Sequence, residues 1–139
     1  MEDAMSGIYS GSCLCGAVRF EISGAFDGFF LCHCGRCRKN TGSAHAANLF
    51  SRTARLDWLA GEDQVRTYAV PDTRHRRNFC MQCGSAMPGL QMDGALVVVP
   101  AGSIDGALGV RPDAHIFAAS RADWDERLED VPRHEAFPA

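Results

Sequence analysis

Hydrophobic positions along this 139-residue chain come in short runs, and many alternate with polar ones. Val18, Phe20 and Ile22 alternate with Ala17, Arg19, Glu21 and Ser23. A period of two places one set on each face of a half-buried strand. Phe29-Phe30-Leu31 is an apolar run that delivers Cys32 from the end of a strand. Further strands are predicted over 44–50, 55–59 and 66–70, the last broken by Pro71-Asp72. Residues 74–79 lead into Cys80, and an apolar stretch continues from the Gly84 turn to Leu90. Met92-Asp93-Gly94 reads as a hairpin turn. Residues 96–99 form the densest strand signal, stopped by Pro100, and 115–118 read as the last strand.

Between these runs, 11–16, 24–28 and 61–63 read as turns, and 101–112 is rich in glycine and turn residues. The polar stretch 36–42 predicts a tight turn or a single helical turn. Ser120 suits the N-cap of a short helix through Trp124 and Leu128. Residues 1–10 read as a loose start, its first seven positions the loosest, and 129–139 as an aperiodic tail. About nine short strands and little helix predict a mainly β chain. At 15.1 kDa it is large enough for a core of its own, so one domain over 1–139 is expected.

Charge narrows the partners. The formal net charge is −3 and the sequence pI is about 5.9, whereas a protein that neutralises nucleic-acid phosphates is usually basic. No run approaches the ~20 apolar residues of a membrane span, and residues 1–7 are too polar for a secretory signal. A cytoplasmic protein without nucleic-acid or membrane partners is the expectation. The pattern says nothing of oligomeric state.

Seven cysteines bring in the chemistry, and every one is clustered. Cys13-Leu14-Cys15 and Cys80-Met81-Gln82-Cys83 flank a central run, Cys32-His33-Cys34-Gly35-Arg36-Cys37. In a reducing compartment such clusters point to metal ligation or catalysis rather than disulfides, and an odd count leaves one thiol unpaired. Structural zinc is closed by four protein ligands, whereas catalytic zinc keeps three and one open position. Seven divides accordingly: Cys13, Cys15, Cys80 and Cys83 close one site, while Cys32, Cys34 and Cys37 open another. Two zinc ions per chain are expected. With seven thiolates and two zinc ions the net charge would fall to about −6, disfavouring nucleic acid further.

Two alternatives stay open on spacing alone. The trio could pair with Cys80 or Cys83, which leaves Cys13 and Cys15 short of partners. A histidine could also close the trio. His33, between two ligands, tends to point away from the metal if that backbone is extended. His45 is better placed in sequence. An open three-thiolate zinc is electron-rich, and it suits holding an incoming thiol as thiolate. That thiolate could add to a carbonyl carbon, or simply be carried; zinc could instead polarise the carbonyl.

The three clusters in this order resemble the glutathione-dependent formaldehyde-activating enzyme family, which also contains centromere protein V. The resemblance runs through Gly11-Ser12-Cys13-Leu14-Cys15-Gly16, the central run with Arg38-Lys39 and Thr41-Gly42-Ser43, and Arg77-Asn78-Phe79-Cys80-Met81-Gln82-Cys83-Gly84-Ser85. It continues through Ala101-Gly102-Ser103-Ile104-Asp105, Pro112-Asp113-Ala114-His115-Ile116-Phe117 and the Trp124 region. It implies a β-tent fold of small antiparallel sheets. It also implies a structural zinc at Cys13, Cys15, Cys80 and Cys83, and a catalytic zinc at Cys32, Cys34 and Cys37. The implied reaction condenses glutathione with formaldehyde to S-hydroxymethylglutathione, a carbon–sulfur lyase run in reverse. A non-catalytic thiol carrier and a structural two-zinc interaction protein are the alternatives from other classes.

Other residues carry weaker expectations. Arg38 and Lys39 are the basic residues placed to meet the carboxylates of a glutathione-like ligand. Arg36 and the run Arg74-His75-Arg76-Arg77 read first as a solvated basic face. Lys39 and His45 are candidate acid–base groups near the open zinc. A packed or surface-strand role is expected for His115, and core packing for Phe50, Trp58, Phe79 and Trp124.

Overall fold

A computed structural model describes residues 7–138. Eleven short strands form three small sheets, with a single α-helix among the described residues. The chain is mainly β, as the alternation predicts. The first sheet has the order β1-β2-β5, from Gly7–Ser12, Arg19–Gly24 and Arg55–Ala60. The second has the order β11-β3-β4-β10-β9. Its strands are Ala114–Ile116, Gly28–Cys32, Ala46–Ser51, Leu96–Pro100 and Gly89–Gln91. The third joins β6, β7 and β8, from Val65–Ala69, Arg76–Cys80 and Ala86–Met87.

The core sits where these sheets meet. Val18, Phe20 and Ile22 are fully buried, as their period of two requires. They pack with Phe26, Phe29, Leu49, Val97, Val99 and Met87. Cys13 and Cys80 belong to the same cluster, so two of the seven thiols are part of the core. Trp58 sets its ring edge-on to Phe20 at 6.0 Å.

Several expectations change. Gly7–Ser12 is a strand rather than part of a loose start, pairing antiparallel with β2 from Gly7↔Gly24 to Ser12↔Arg19. The rest of that expected loose start, residues 1–6, lies outside the described residues. The stretch before Leu90 divides into β8 and β9, which serve different sheets. One pairing is parallel: β11 runs beside β3, with His115 opposite Leu31. Asp113 sets that register, since its carboxylate accepts from the Phe29 amide at 2.9 Å while its own amide donates to Phe29 O at 2.7 Å.

The expected helix from Ser120 to Leu128 does not form. Only single 3-10 turns occur, over Ala118–Ser120 and Leu128–Asp130. Between them Ala122 is buried, Asp125 turns inward to His33, and Arg127 takes φ 51°, which a continuing helix excludes. Tertiary contacts outweigh the capping signal, and Trp124 is left 58% exposed rather than packed in the core. No helix among the described residues is long and apolar enough to cross a membrane.

Candidate functional site

Two knuckle-like turns bring the flanking pairs together. The first leaves β1, with the Gly16 amide donating to Cys13 O and the Cys13 amide to Val18 O. The second leaves β7, with the Gly84 amide donating to Cys80 O at 2.7 Å. Gly84 takes φ 78°, the left-handed conformation glycine favours. Ser85 staples the turns: its hydroxyl accepts from the Leu14 amide at 2.9 Å and lies 3.2 Å from Cys83 Sγ. The ligand atoms of Cys13, Cys15, Cys80 and Cys83 all lie within 4.8 Å of one another. Cys13 and Cys15 are 3.6 Å apart at sulfur, and Cys15 and Cys80 3.9 Å. A zinc tetrahedron with sulfur at ~2.3 Å has edges of about 3.8 Å, so the set fits that ion.

The electrostatics of the four agree with a cation site. Hydrogen bonds from the Ser85 hydroxyl and amide pull Cys83 down to about 5. Burial opposes ionisation of Cys13, but the Val18 amide and the Cys15 and Cys80 thiols outweigh it and lower its pKa. The Ala17 amide favours the Cys15 thiolate, yet desolvation and the other three thiols push Cys15 up to about 11. Crowded sulfurs compete for the negative charge, and a divalent cation removes that conflict.

The central trio is built by a strand and a helix. β3 delivers Cys32, and Cys34 caps α1, Gly35–Thr41, its sulfur accepting from the Cys37 amide at 3.4 Å. Gly42 closes the helix at φ 65°, its amide bonded to Arg38 O. The ligand atoms of Cys32, Cys34 and Cys37 also lie within 4.8 Å of one another. Cys37 is pushed up by burial and by its two neighbours. Burial opposes ionisation of Cys34, but the Cys37 amide and thiol outweigh it and hold Cys34 down. Among the described residues, no histidine or carboxylate joins these three thiols.

The trio lies on the wall of a cleft of about 500 Å³ between the second and third sheets. That volume suits a small-molecule site. Arg36, Asn40, His75 and Arg77 share the lining with the three cysteines, and Arg74 and Arg76 add charge. Arg77 spans the two sulfur sites. One end of its guanidinium donates to Asn40 O and Oδ1 at 2.8 and 2.6 Å, the other to Gly84 O at 2.7 Å. Asn40 Nδ2 meets His75 Nε2 at 3.1 Å, and burial together with the Arg36 charge lowers the His75 pKa. Phe50 lines the cleft, its ring tilted against Phe30 at 6.0 Å. Phe79 takes the Arg77 guanidinium at 5.8 Å from its centroid.

The structure puts the other candidates outside this cleft. Arg38 donates to Ser120 O at 3.1 Å, tying α1 to the C-terminal segment. Lys39 is exposed and does not line the cleft. His45 and His33 face each other edge-to-face at 5.1 Å, and neither lines the cleft. His115 is exposed on β11, as a surface-strand residue, with Nδ1 2.8 Å from His33 Nε2. Sequence reasoning did not single out Asn40 and His75. Their only signal was position: one lies three residues past the last ligand of the trio, the other in a basic run.

A small β protein with one closed four-thiol set and one open three-thiol set on a basic cleft defines a class of cysteine-clustered, candidate metal-binding domains. Residues 8–120 match the family described as "Glutathione-dependent formaldehyde-activating enzyme", and the chain belongs to it. A Halomonas elongata protein named "Putative glutathione-dependent formaldehyde-activating enzyme" is 31% identical over 129 residues, covering 86% of this chain and 80% of that protein. The crystal structure of a Rhodobacter sphaeroides protein shares the fold. Its TM-score is 0.58 at 24% identity, over 74% of this chain and 97% of that one.

Proposed function

We propose that this chain adds glutathione to formaldehyde at the Cys32, Cys34 and Cys37 site, with zinc there and a second, structural zinc at Cys13, Cys15, Cys80 and Cys83. The observation that carries the reading is the asymmetry of the sulfur sites. Four thiols, two of them in the core, gather at one point, whereas the other three gather on the wall of a cleft with no fourth protein ligand among the described residues. Zinc bound there would supply a soft Lewis acid that favours the deprotonated form of an incoming thiol.

The chain's own groups bind and orient. Glutathione carries two carboxylates, and Arg36, Arg74 and Arg76 bring positive charge to the cleft wall that can meet them. They take the role expected of Arg38 and Lys39, which lie off the cleft. The thiol sulfur forms a bond to the aldehyde carbon, the carbonyl π electrons move to oxygen, and the thiol proton ends on that oxygen. His75, held at Asn40 beside the trio, is better placed to move that proton than His45. All seven cysteines are free, which suits a reducing, glutathione-containing compartment such as the cytoplasm.

The test is formation of S-hydroxymethylglutathione, followed by NMR exchange spectroscopy with zinc-loaded protein, glutathione and formaldehyde. Acceleration over the uncatalysed rate is expected, lost in Cys37→Ser. Glutathione binding without acceleration would replace the enzyme with a thiol carrier. No thiol binding would remove both.

A further inference from the structure

Off the cleft lies a second set of donor atoms that the proposed reaction does not use. His33 is 98% buried, since only 2% of it is exposed. Its Nδ1 lies 3.1 Å from Asp125 Oδ2, but off the line a hydrogen bond needs, so this buried nitrogen has no hydrogen-bond partner. His45 Nδ1 is also buried without one. A ring nitrogen from each histidine and a carboxylate oxygen of Asp125 all lie within 4.8 Å of one another. A tetrahedral ion with nitrogen and oxygen ligands at 2.0–2.1 Å has edges of about 3.3 Å, close to the His33–Asp125 separation.

His33 Nε2 is engaged on its far side, which leaves Nδ1 as the nitrogen that can meet an ion. A metal-ligating histidine typically donates its other N–H to an acceptor that fixes its tautomer. His33 Nε2 meets His115 Nδ1 at 2.8 Å. With the proton on Nε2, Nδ1 carries a lone pair beside the Asp125 carboxylate. Two electron-rich atoms then lie 3.1 Å apart, an arrangement a cation bound to both resolves. Asp125 comes from the segment where the expected helix gave way, held there by buried Ala122.

We propose that His33, His45 and Asp125 form a third divalent-metal site, of the two-imidazole, one-carboxylate type that takes borderline ions such as Zn2+ or Co2+. His115 is its positioning residue. Water can complete the coordination from the Asp125 side, where that side chain is 14% exposed. The site does not depend on the activity proposed above, because none of its ligands lines the cleft.

The test titrates Co2+ into protein already loaded with two equivalents of Zn2+. A third equivalent should bind with visible d–d bands and no thiolate charge transfer in the near ultraviolet. His45→Phe and Asp125→Asn, each checked for folding by circular dichroism, should each weaken binding more than about 100-fold, and His115→Gln about 10–100-fold. Saturation at two equivalents would overturn the proposal. So would a third equivalent with thiolate charge-transfer intensity, or one that both ligand variants leave unchanged.

Discussion

At the residue scale, Arg77 connects what the cysteine spacing separates. It holds Asn40 of α1 and Gly84 of the second knuckle in one guanidinium. Its three bonds are charge-assisted, and replacement leaves two carbonyls and an amide oxygen short of a donor. Arg77→Ala should cost about 2–3 kcal/mol in a denaturant titration of metal-loaded protein. Arg77→Lys should recover less than half, because an ammonium cannot reproduce the planar fork. None of this was legible in a run of four basic residues, where charge alone suggests a solvated face. Burial and partner geometry separate Arg77 from its neighbours, and neither is a local property of sequence. The cysteines were legible for the opposite reason: their ligand chemistry is carried by residue type and short spacing.

At the scale of elements, the strands followed their patterns where the pattern was long. β2 and β10 alternate cleanly between buried and less buried positions. β1 was missed because its inward positions are Gly7, Tyr9 and Gly11, which make no apolar stripe, while apolar Ile8 is exposed. Gly11 stands there because a Cβ would collide with the Phe20 ring and with Ser103 O. The C-terminal helix was a capping signal without an apolar face to bury, and contacts to Arg38 and His33 decided the conformation. The two sulfur sites divide between elements as well. Cys80 is in the core and Cys83 closes the turn that Ser85 and Arg77 hold, whereas the trio belongs to α1 and the end of β3. Cys83→Ser should therefore lower the melting temperature of the zinc-loaded protein by more than about 10 °C, while Cys37→Ser should shift it by about 5 °C or less and remove one zinc. Equal losses in calorimetry would mean the sites are not divided this way.

At the scale of the whole molecule, three small sheets bring residues 65 positions apart in sequence, Cys15 and Cys80, to 3.9 Å at sulfur. The mainly β class was readable from alternation. The sheet order was not, because β11-β3-β4-β10-β9 joins strands far apart in the chain, and the parallel β11 rests on Asp113 contacts with Phe29. The cleft follows from that order: it opens between two sheets that no local pattern places together. The central claim is that seven thiolates divide as four and three, and that the vacant position of the trio takes a thiol. Zinc-edge X-ray absorption on protein carrying two zinc ions measures this directly. It should give an average of about 3.5 sulfurs per zinc, rising to about 4 when glutathione is added. An average that stays unchanged on adding glutathione, or one that already stands at 4 without it, would contradict the claim.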